Sequence, residues 1–83
     1  MHPAAELWHA KHALGSARNA VTRWGRLLRI AVRVPMTTPL DLAHALAVRD
    51  ADTRPLVAKV LDRYERAQGD LLAARAHLAN LTR

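Results

Sequence analysis

The chain has 83 residues, no cysteine, no phenylalanine, only three glycines and a formal net charge of +6. That length makes a single domain, residues 1–83, which buries roughly 60–65 % of the surface its unfolded form exposes and so depends on efficient helix packing or on a second copy. Disulfides and thiolate metal sites are excluded by the missing cysteine, and no apolar run approaches the ~20 residues that span a bilayer.

Ala, Leu and Arg dominate, and all three favour helix. The expected fold is therefore all-α, with helices over about 4–34, 39–49 and 53–82. Pro3 opens the first helix, with Glu6 against its dipole. The apolar pattern then runs from Leu7 to Val34 and stops at Pro35, Thr37, Thr38 and Pro39. A short second helix follows, with Thr38 as N-cap and Pro39 at its first position. It is expected to bury Leu42, Leu46 and Ala45. A turn at Asp50–Asp52 leads into the third helix, capped by Thr53 or Asp52, with Pro55 in its first turn.

The two long helices share a pattern. Leu7, Ala10, Leu14, Ala17, Val21, Trp24, Leu28 and Ala31 recur at spacings of three and four, as do Val57, Val60, Tyr64, Ala67, Leu71, Ala74, Leu78 and Leu81. Such a 3.5-residue period predicts an antiparallel pair of heptad-patterned helices joined by the short one. Running the seams against each other sets Leu7 on Leu81, Ala17 on Leu71, Trp24 on Tyr64 and Ala31 on Val57. Most layers then place a large residue against a small one. Ala13, Ala20, Leu27 and Val34 flank the first seam, and Leu61 and Leu72 the third-helix seam. The short helix is expected to shield only the end near Leu27, Ile30 and Val34. The stripe left uncovered predicts a homodimer that closes a helical bundle.

Charge is uneven. Residues 1–40 carry six basic groups against Glu6 alone, whereas residues 41–83 carry seven basic and six acidic groups. On the first helix, Trp8, Lys11, Arg18, Arg26, Arg29 and Arg33 fall away from the seam, on a ridge about 40 Å long at 1.5 Å per residue. Guanidinium groups suit phosphate, and Trp8 is placed to stack on a base or a partner side chain. The expected function is nucleic-acid binding through this ridge. The alternative is a helical adaptor that docks on a partner protein with an acidic surface.

Other motifs carry less. Residues 42–61 have the outline of a helix-turn-helix, but the turn reads about one residue long and Asp50 and Asp52 would lie against phosphate. Glu6, His9 and His12 stand one turn apart with His77 at the same end, yet they read as surface groups rather than as a metal site with fixed ligands. Ser16 is the only serine and no Gly-rich phosphate loop follows a strand. No enzyme, no cofactor and no membrane partner is expected, and the location read from the chain is cytoplasmic.

Overall fold

The computed structural model describes residues 3–83, and Met1 and His2 lie outside the described residues. It contains α1 (Pro3–Ala31), α2 (Leu40–Asp50) and α3 (Pro55–Leu81), with no strand among the described residues. Helix α1 packs along α3. The end of α1 (Leu28, Ala31) shares a core with the start of α3 (Val57, Val60, Tyr64). Further along, Ala13 and Ala17 lie beside Asp70 and Ala74. The two helices therefore run in opposite directions. All sixteen seam residues named above are buried or half-buried.

Helix α1 ends three residues before the apolar pattern does, because the chain turns left-handed there. Arg33 has φ 61°. The Val34 N–H donates to the Arg29 carbonyl at 3.0 Å and the Arg33 N–H to the Ile30 carbonyl at 3.1 Å. These are the paired bonds of a Schellman motif, which usually places glycine at the left-handed position. Val34 continues the apolar pattern for a different reason than helix: it is the residue past the cap that packs back on the core.

The starts of α2 and α3 also differ from expectation. Pro39, not Thr38, is the N-cap of α2, and it makes no side-chain cap; the Asp41 carboxylate accepts the Leu42 N–H at 3.2 Å instead. At α3 the N-cap is Arg54, held extended because Pro55 follows it at the first helical turn. Thr53 turns back to the Asp50 carbonyl, to which its N–H donates at 3.2 Å. The α2–α3 turn thus spans four residues, 51–54, rather than one.

Helix α2 presents a different face from the one expected. Its buried residues are Ala43 and Ala47, with Leu40 and Leu46 packed at the margin, while Leu42 and Ala45 are exposed. Small side chains let its backbone approach the core closely. Its position on the hairpin is also corrected. Leu40 lies over Gly25 and His44 lies 3.4 Å from Glu65, so α2 covers the flank of Gly25, Val32, Leu61 and Tyr64. Leu27 and Ile30 lie on the other side of α1 and stay exposed.

The guanidinium of Arg54 joins all three helix ends. It donates to the Ala31 carbonyl at 2.6 Å, one of the orphan acceptors at the α1 terminus, and to Asp50 at 3.2 Å. Asp50 also accepts from Arg49 at 2.9 Å. The Arg49 hydrogen bond is the main reason the Asp50 carboxyl lies below its ordinary value; partial burial opposes this and the charge of Arg54 assists it. The molecule is elongated, 50 × 24 × 17 Å, with its main core cluster at the three-helix end. No residue from 68 to 83 is fully buried.

Two stability outcomes follow. A Cβ at Gly69 meets nothing within 4 Å, whereas at Gly25 it meets the Leu40 methyls at 3.0 and 3.3 Å. Gly69→Ala should add about 0.5–1 kcal/mol in urea unfolding, and Gly25→Ala should gain less or lose. For Asp50, the folded pKa is depressed, so its contribution is present above the ordinary value of 3.8 and is lost as pH falls through the lowered one. Asp50→Asn should flatten the decline in melting temperature across that acidic window; an unchanged slope would assign the decline to other carboxylates.

Candidate nucleic-acid interface

The exposed side of α1 is set by its helical repeat. Ala10, Ala17, Leu28 and Ala31 are buried on the side facing α3, with Gly25 buried under α2, which at 3.6 residues per turn puts Trp8, His12, Asn19, Arg26 and Ile30 diametrically outward from the α3 side. Lys11 and Arg18 stand to one side of that line and Arg23 to the other. All four of Lys11, Arg18, Arg23 and Arg26 are exposed. Among the described residues no carboxylate comes within 4.0 Å of any of them, since the ion pairs present join His44 to Glu65, Arg49 and Arg54 to Asp50, and Arg66 to Asp62. The acids of the molecule lie on α2, on α3 and in the turn between them, Glu6 excepted.

The residues singled out from sequence fall into three groups. Lys11, Arg18 and Arg26 share the exposed face of α1. Arg29 is half-buried and its Nε–H donates to the Thr38 carbonyl at 2.8 Å, so it fastens the 32–39 connection to α1. Arg33 lies past the end of the helix, in the left-handed turn. Arg23 was not among those residues, although it is exposed and free of acidic neighbours in the same way; its charge was legible, and only the observed face of α1 adds it to the group.

Trp8 is 56 % exposed and already stacked. Its ring lies 3.8 Å from His12 between centroids at 34°, and His9 meets it edge-on at 5.0 Å. One side of the indole is therefore engaged within the helix. His9 and His12 pair with Trp8, and among the described residues no three of His, Asp and Glu could hold a metal ion. Between Trp8 and Arg26 the surface dips at Gly15, in a shallow depression lined by Lys11, His12, Ser16 and Asn19. Gly15, Ser16 and Asn19 are short there and leave Lys11 accessible at the edge of the depression.

Tyr64, the largest polar side chain in the core, belongs to the scaffold. Burial pushes its phenol above the ordinary value, and its oxygen accepts a hydrogen bond from Gln68 at 3.0 Å. No helix among the described residues is long and apolar enough to cross a membrane. No protein family, curated protein or solved structure matches the chain. What fold and surface together define is a class: a small three-helix, all-α protein whose first helix presents an un-neutralised cationic face.

The two kinds of arginine should separate in a stability assay. Arg29→Ala removes a charge-assisted bond to a loop carbonyl and should cost about 1–2 kcal/mol in urea unfolding. Arg26→Ala, exposed and unpaired, should stay within about 0.5 kcal/mol of the parent. Equal losses would place both residues in the same structural role.

Proposed function

We propose that the protein is a non-enzymatic, homodimeric binder of nucleic acid that engages phosphates through the outer face of α1. Lys11, Arg18, Arg23 and Arg26 make the primary contacts, Arg33 extends the strip past the helix end, and Trp8 and Arg29 assist from its margins. The long helices pack in heptad fashion, and two copies close a bundle that presents two such strips. No cofactor is needed, and a cytoplasmic setting fits the reading. The observation that carries it is the set of four exposed cations on one helix with no carboxylate within reach. Cations without protein partners are available to replace counterions on a polyanion, and the ions released drive association.

A second reading, docking on an acidic protein surface, is favoured by one feature. Trp8 and Ile30, 56 % and 58 % exposed, share the cationic face, and phosphate contacts would not reward Ile30. One titration separates the two. Labelled duplex and single-stranded DNA or RNA should bind with an affinity that falls steeply with salt, at a slope of about −0.9 per phosphate neutralised on duplex. Arg18→Ala with Arg26→Ala should reduce that slope by about two. If neither duplex nor single strand binds at low salt, the nucleic-acid reading is lost and the protein partner takes its place.

A further inference from the structure

The flank opposite α2 is bare along its whole length, and its two halves differ in relief. In the stalk it is a groove walled by Ala13, Ser16 and Ala20 of α1 and Asp70, Ala73 and Ala74 of α3. At the three-helix end, the same flank bears Leu27 and Leu56, 37 % and 66 % exposed. Leu27 comes two helical turns after Ala20, and Leu56 five turns before Ala74, so both project from the groove's own face. One end carries large apolar projections and the other a small-residue trough.

Charge repeats the asymmetry. Asp70 is exposed in the trough, and among the described residues no cation lies within 4.0 Å of it; Arg66, one turn away, pairs with Asp62 at 3.2 Å instead. Arg63 lies two turns before Asp70 on the same side of α3, also exposed and without a carboxylate in reach.

The geometry points to a second copy of this chain seated antiparallel on this flank. A two-fold axis that crosses α3 midway between Arg63 and Asp70 brings each Asp70 opposite the partner copy's Arg63. The same operation lowers each Leu27 onto the partner's trough near Ser16, and each Leu56 toward its far end. A parallel pairing does neither: it sets leucine on leucine and leaves two alanine walls facing across a gap. The interface is isologous and closed, so it stops at two copies. The molecule measures 50 × 24 × 17 Å between Cα extents, so a face running along its length has room for the about 800 Å² per partner of a standard interface. Leu72, on the α2 flank, lies outside it. Lys11, Arg18 and Arg26 stay clear of it on both copies, whereas Arg23, two turns past Ser16, borders the contact.

This contact rests on the dimer part of the proposed function and is independent of what the cationic face binds. Sedimentation should give the parent twice its 9.2 kDa mass. Asp70→Arg should raise the dimer dissociation constant by about a hundredfold, since the like-charge contact is made twice. Adding Arg63→Asp to it should restore the dimer, and helical circular dichroism reports whether each variant stays folded. The chain has no cysteine, so single cysteines report contacts cleanly. Leu27→Cys mixed with Ser16→Cys should oxidise to a disulfide-linked pair, and neither should do so alone. A dimer that ignores Asp70→Arg and yields no mixed disulfide overturns this flank while the dimer stands. Disulfide formation by Leu27→Cys alone overturns the antiparallel arrangement. A parent of 9.2 kDa at every concentration overturns flank and dimer together, and leaves the salt titration to judge the cationic face.

Discussion

The Arg54 guanidinium is the point on which the arrangement of the three helices turns. It donates at 2.6 Å to the last carbonyl of α1 and at 3.2 Å to the carboxylate that ends α2, while its own backbone starts α3. An arginine can do this because its donors form a planar fork that reaches two acceptors at once. The consequence is geometric. With the end of α2 held beside the end of α1, Ala43 and Ala47 settle on Val32, Leu61 and Tyr64. The flank of Leu27 and Leu56 is then left without cover.

Thickness follows from that placement. An 11-residue helix laid on helices of 29 and 27 residues can complete a three-helix core at one end only. Beyond it the hairpin is two helices wide, and its leucines are half-buried except Leu72, which is exposed. A two-helix stalk leaves apolar area in water, which is the ground for the proposed second copy. Lys11, Arg18 and Arg26 lie away from the bare flank on α1, whereas Arg23, two turns past Ser16, stands at its edge.

Charge is segregated for a local reason. Three of the six acids of α2, α3 and their turn have a basic side chain within 4.0 Å: Asp50 has Arg49 and Arg54, Asp62 has Arg66, and Glu65 has the His44 imidazole. The exposed cations of α1 have no such neighbours. Pairs of this kind contribute little to stability at a surface, but they decide which charges remain available. Residues 1–40 carry six basic groups against one acid and residues 41–83 seven against six, so the field that a distant polyanion would meet comes mainly from the α1 half.

Helix content, the two breaks and the seam residues were legible in the sequence, because propensity, proline and periodicity act through neighbours along the chain. The positions from Leu7 to Ala31 and from Val57 to Leu81 that should be shielded are buried or half-buried, and the cations of α1 were already visible as an excess. Helix ends were misplaced where side chains serve distant partners: Thr38 gives its carbonyl to Arg29 rather than a hydroxyl to α2, and Arg33 turns left-handed without glycine's freedom. Which flank α2 covers was decided by tertiary structure alone. Leu42 has the pattern of a core residue and Ala43 does not, yet close approach favours the smaller side chain once Arg54 sets the distance. Local pattern ranks residues by their tendency to be buried; only the packed helices determine which of them meet.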